Sequence, residues 1–176
     1  MKAASLKEIK TEIYSLHPKR IQELCLHLAR FRKENKELLS YLLFEAQDEK
    51  SYIIEIKSEI DDLFKEVKKS NGYLAKKTVR KILGATNKYI KYSGLKQTEV
   101  ELLIHFCKRL KKSGILLPVN TALGNLYLRQ IQKINKALAT LHEDLQFDYR
   151  EEIRHLSHFQ WVSTHGYSYC ATPWQD

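Results

Sequence analysis

The chain has 176 residues, with 30 lysines and arginines against 21 aspartates and glutamates, for a formal charge of +9. A hydrophobic share of 43% and a charged share of 29% are those of a globular chain, long enough to bury a core without disulfides or a structural metal. The 6 glycines and 3 prolines are too few for an all-β fold, which needs many turns.

No window approaches the ~18 consecutive apolar residues that span a bilayer. The opening Met-Lys-Ala-Ala-Ser-Leu-Lys-Glu enters a charged amphipathic pattern and lacks the apolar stretch of a signal peptide. The expectation is a cytoplasmic protein with no membrane insertion. Cys25, Cys107 and Cys170 are far apart and form no CxxC pair, which excludes a zinc ribbon or a thioredoxin-type motif. Cys25 and Cys107 fall on apolar stripes and read as reduced, buried side chains.

Apolar residues recur at helical spacing almost throughout. A first helix over about 5–16 carries Leu6, Ile9, Ile13 and Leu16 on one face, with Ser5 and Glu8 placed as a capping box. Pro18 suits the first turn of a second helix, about 18–32, whose inward face holds Ile21, Leu24, Cys25, Leu28 and Phe31. Arg32 to Asn35 connects it to a third helix, about 35–46, which is apolar on nearly every side and is expected to be central. A fourth, about 50–69, presents Ile53, Ile56, Ile60, Leu63 and Val67, and Gly72 is placed to end it in the left-handed conformation. A fifth covers about 73–92 and stops at Ser93-Gly94. A sixth, about 98–112, opens on Thr98 and Glu101 as a second capping box. After an apolar loop containing Pro118, a seventh runs about 121–145, and a helical pattern continues to His158.

The fold class is therefore all-α, built of antiparallel helical hairpins. Residues 1–158 form a helical domain. Residues 159–176, with Trp161, Tyr167, Tyr169 and Trp174, form an aromatic tail expected to dock on it, since large exposed aromatic patches are unusual in monomers. Glu23-Leu24-Cys25-Leu26-His27-Leu28-Ala29-Arg30 is matched by Glu101-Leu102-Leu103-Ile104-His105-Phe106-Cys107-Lys108, with a weaker copy midway around Asp62-Leu63-Phe64. That spacing, near twice 40 residues, resembles HEAT-type helical repeats; the rival architecture is an irregular helical bundle.

Sharp catalytic motifs are absent: there is no GxxxxGK[ST] loop, GxGxxG or GxSxG, and His142-Glu143 lacks the second histidine of a zincin helix. Glu152 and His155 make one E-x-x-H, where a di-iron bundle needs two. His155, His158, His165 and Cys170 are ligand types that would close a tetrahedral zinc site, but in no zinc spacing. They are the metal-ligand candidates of an alternative, metal-stabilised or metal-dependent protein; the expected cofactor is none. Glu23 with His27, and Glu101 with His105, have i,i+4 spacing and read as local helix pairs or as satisfied, partly buried histidines.

Charge is more informative. Residues 1–64 hold 11 basic and 12 acidic side chains, and 113–176 hold 5 and 6, whereas 65–112 hold 14 and 3. The whole excess lies in that middle segment. At about 100° per residue, Lys76, Lys77, Arg80, Lys81, Lys88 and Lys91 fall in an arc of about 140°, with Gly84 and Asn87 inside it. A glycine there would let a ligand backbone come close. Lys69, Lys108 and Arg109 extend the belt, and Tyr73 and Tyr92 at its ends could stack on bases. Such a surface suits phosphate groups, and the preponderance of lysine favours backbone contact over base reading. The expectation is a non-catalytic binding or scaffold module, its partner nucleic acid or an acidic protein. A structural protein–protein interaction module is a further alternative, and oligomeric state is left open.

Overall fold

The computed structural model describes residues 2–68, 71–118 and 120–157. They are all-helical, with eight α-helices and no strand among the described residues: α1 (Leu6–Ser15), α2 (Pro18–Phe31), α3 (Lys33–Ser40), α4 (Glu49–Lys65), α5 (Gly72–Ser93), α6 (Lys96–Lys112), α7 (Ala122–Leu138) and α8 (Glu143–Ser157). No described helix is long and apolar enough to cross a membrane. The described residues divide into two compact units, one ending at Tyr52 and the other starting at Ile53. The division falls inside α4, where the apolar pattern runs on without interruption.

In the first unit the starts of α1 and α2 are those the sequence implies. The Ser5 hydroxyl accepts from the Glu8 N–H at 3.3 Å, and the Glu8 carboxylate accepts from the Ser5 N–H at 2.7 Å. Pro18 opens α2, where the missing N–H costs nothing. Arg32 alone separates α2 from α3. The third helix is not central. After Ser40 the chain widens into a π-helical turn over Tyr41–Glu45, closed by the Ala46 N–H on the Tyr41 carbonyl at 2.9 Å. That extra residue per turn rotates the following side chains. Tyr41 goes inward, its ring 4.7 Å from that of Tyr52 and its hydroxyl donating to Glu49 at 2.7 Å. Leu42, Leu43 and Phe44 go outward, Phe44 to 78% exposure. Cys25, expected inside, is also exposed. No residue of α1, α2 or α3 is fully buried; Ile21, Leu24 and Leu39 are half-buried, and Ile9, Ile13, Leu28 and Phe31 are exposed.

The second unit has a true core, and α6 is its centre. α6 contacts α5, α7 and α8, and it buries nine residues, among them Val100, Leu102, Leu103, Ile104, Phe106, Cys107 and Leu110. α4 closes on it through Phe64 and Phe106, with ring centroids 5.6 Å apart. α7 brings Leu123, Tyr127, Ile131 and Ile134, and α8 brings Ile153 and Leu156. Tyr127 donates its buried hydroxyl to the Leu156 carbonyl at 2.9 Å, tying α7 to the end of α8. These contacts are those of a helical bundle. The two segments of the internal similarity differ in setting: the first lies on α2, without a buried residue, and the second on the most buried helix.

Several ends differ from the sequence reading. Gly72 does not end α4 in a left-handed turn but is the first residue of α5, with Asn71 as its cap accepting from the N–H groups of Tyr73 and Leu74 at 3.0 Å. α6 starts at Lys96 with no side-chain cap, because Thr98 is buried within it and Glu101 is committed elsewhere. The long seventh helix is two helices, parted at Ala139 to His142. The tail expected over 159–176 and its docking lie outside the described residues.

Candidate nucleic-acid interface

α5 has an apolar face and a cationic face, and contains no acidic residue. Ala75, Val79, Ile82, Thr86 and Ile90 are buried. They recur at three- and four-residue steps and pack α5 against α6, which fixes the helix rotation. The opposite arc is thereby turned to solvent. Lys77, Arg80, Lys81 and Lys91 are exposed, and Lys76 is half-buried. None of these five has an ion-pair or hydrogen-bond partner among the described residues.

Lys88 is held differently. Its ammonium lies 4.7 Å from the centre of the Tyr89 ring and 5.9 Å from that of Tyr92. Tyr89 donates to the Glu59 carboxylate at 2.7 Å, which anchors the aromatic pair to α4. Tyr92 is therefore occupied by Lys88, whereas Tyr73, at the other end of α5, is 74% exposed. Asn87 donates to the Leu83 carbonyl at 2.9 Å and accepts from Lys133 of α7 at 3.0 Å. Gly84 is exposed, and a Cβ added there would meet nothing within 4 Å. Its lack of a side chain serves no internal packing.

The cations of α6 are of another kind. Lys108 pairs with Glu152 of α8 at 2.8 Å. Arg109 Nε pairs with Asp61 of α4 at 2.8 Å, and the same carboxylate oxygen lies 2.6 Å from His105 Nε2. Lys111 donates to the His155 carbonyl at 2.8 Å, at the end of α8 where carbonyls lack helical partners. Lys108 and Arg109 thus hold α4, α6 and α8 together, and the unmatched charge of the belt concentrates on α5. Lys69 lies outside the described residues.

Neither i,i+4 histidine pair is formed, and His105 is instead a half-buried histidine satisfied by Asp61. Glu23 bonds Arg20 at 3.0 Å instead of His27. Glu101 accepts from Lys57 at 2.7 Å and from the Tyr149 hydroxyl at 2.9 Å instead of pairing with His105. Burial works to raise the Glu101 pKa, but the hydrogen bonds from Lys57 and Tyr149 outweigh it and hold the carboxyl below its usual value. Burial, with the Glu101 bond, pushes Tyr149 up to about 12. Burial alone pushes the Cys107 thiol up to about 12, which makes it an inert core residue rather than a nucleophile.

Of the metal candidates, His155 is exposed and lies 3.4 Å from Glu151, and Glu152 is engaged by Lys108. His158, His165 and Cys170 lie outside the described residues. Among the described residues no group of three or more histidine, cysteine or acidic side chains could hold a metal ion. Asp61 and Lys133 were not marked by sequence. Each meets its partners from another helix, Asp61 meeting His105 44 positions away and Lys133 meeting Asn87 46 away, and no local pattern carries that information. No protein-family profile, curated protein or solved structure matches the chain.

Proposed function

We propose that this chain is a non-catalytic binding module that holds a nucleic-acid backbone on the outer face of α5. The observation that carries the reading is the set of five cations, Lys76, Lys77, Arg80, Lys81 and Lys91, gathered on one helix face with no acidic partner. Like charges at helical spacing destabilise a helix by a few tenths of a kcal/mol per pair. The half-buried Lys57 and Arg109, and Lys108 beside them, are each matched by a carboxylate from a neighbouring helix, which the α5 face lacks. A polyanion supplies the missing partner, and release of its condensed counterions drives the association. Lysine ammoniums act as point charges and read no base, so binding is expected to be independent of sequence.

The test is a mobility shift with single- and double-stranded nucleic acid at low salt. Reversing Lys77, Arg80 and Lys81 to glutamate should abolish the shift. Reversing Lys19, Lys36 and Lys50, exposed cations of the first unit, should change it little. Absence of any shift by the unaltered chain overturns the proposal.

A further inference from the structure

The cationic face does not end at Lys91. Asn87 and Lys91 also form one wall of a cleft of about 470 Å³ at the turn between α5 and α6. Lys96 and Glu99 of α6 and Lys133 of α7 form the other wall. That volume is in the range of small-ligand sites.

Its electrostatics are organised around Glu99, which is 7% exposed. One oxygen accepts from Lys96 at 2.8 Å and the other lies 3.1 Å from Lys133. Two ammoniums that would repel each other are thus held beside one carboxylate. Burial works to raise the Glu99 pKa, but the hydrogen bonds from Lys96 and Lys133 prevail, so the carboxyl stays ionised well into the acid range. Lys133 is fixed further by the Asn87 side-chain oxygen at 3.0 Å. Lys91 has no partner among the described residues. Three lysines and one carboxylate leave the cleft with a net charge of +2. Each ammonium has three N–H donors. Lys133 spends two on Glu99 and Asn87, Lys96 spends one on Glu99, and Lys91 spends none. Six donors remain for a guest.

A charge of +2 with six N–H donors is the complement of a phosphate monoester, which carries close to two negative charges at neutral pH and offers three terminal oxygens. An internal phosphodiester carries one charge and two such oxygens. The cleft therefore favours an end over the middle of a strand. We infer that the cleft receives a phosphate monoester, as the phosphorylated end of a strand lying along α5. Binding along α5 rests on the function proposed above. The cleft itself rests on Glu99, Lys96, Lys133 and Lys91.

The experiment is fluorescence anisotropy of the full chain with a short single strand bearing an internal label and either a terminal phosphate or hydroxyl ends. The phosphorylated strand should bind about tenfold tighter, the worth of one further charged hydrogen bond. Lys91→Gln and Lys96→Gln should each bring that ratio toward one. Equal binding of the two strands overturns the cleft assignment and leaves the α5 reading standing. If neither strand binds, the α5 reading fails, and the cleft is decided by NMR titration with a nucleoside monophosphate against the nucleoside. Shifts at Lys91 and Lys96 with the monophosphate alone then uphold the cleft for a free phosphate monoester. Their absence overturns it.

Discussion

Replacing Gly84 with alanine should stabilise this protein while weakening its grip on a polyanion. Gly84 sits in the interior of the 22-residue helix α5, exposed, with open space where a Cβ would go. No clash offsets the gain from lower backbone entropy in the unfolded chain. Glycine inside a helix is about 1 kcal/mol less favourable than alanine. For a chain of this size that gain raises Tm by about 2–4 °C. Thermal unfolding followed by circular dichroism measures it. The added methyl would stand between Arg80 and Lys88 on the cationic arc, where a sugar–phosphate backbone has to come close. Anisotropy with a single strand should therefore show weaker binding by the more stable variant. A lowered Tm would refute the exposed placement of Gly84. A raised Tm with unchanged affinity would refute its place in the contact.

The opposite sign is expected at Gly124 on α7. A Cβ there would overlap the Pro118 carbonyl, whose backbone cannot step aside, so Gly124→Ala should lower stability by about 1–3 kcal/mol in denaturant titration. Leu103 is 0% exposed and Leu28 is 57% exposed. Leu103→Ala should cost about 2–5 kcal/mol in the same assay, and Leu28→Ala about 0.5 kcal/mol or less. Glu99 and Glu101 are both held below the ordinary carboxyl value of 4.5. In the window below that value the unfolded chain binds more protons than the folded one, so stability rises with pH there. Their contribution should be fully present above about pH 4.5 and fade as pH falls through the folded values. Glu99→Gln should flatten that acid limb of the stability curve.

Helix positions and types were legible because periodicity is local. The apolar spacing on α5 located its cationic face, and the Ser5–Glu8 box was visible as a sequence pattern. Burial was less legible. The apolar run at Leu42–Phe44 looks like a core helix, yet the π-helical turn directs it outward, where it is exposed among the described residues. The central helix is α6, whose Glu101-Leu102-Leu103-Ile104-His105-Phe106-Cys107 run is apolar on most sides and was readable as such. The Thr98–Glu101 box failed because Lys57 and Tyr149, distant in sequence, claim the Glu101 carboxylate. Charge counting likewise placed Lys108 and Arg109 with the α5 cations. Only the packing of α4 and α8 against α6 reveals that Asp61 and Glu152 satisfy them.

The most direct measurement of the central claim is the salt dependence of nucleic-acid affinity. If each of the five unmatched cations on α5 engages one phosphate, the slope of log K against log salt should be about −4.5 on a duplex and about −3.5 on a single strand. Charge reversal of Lys77, Arg80 and Lys81 should abolish binding or make the slope much shallower. A slope near zero, or one left unchanged by that reversal, would contradict the account.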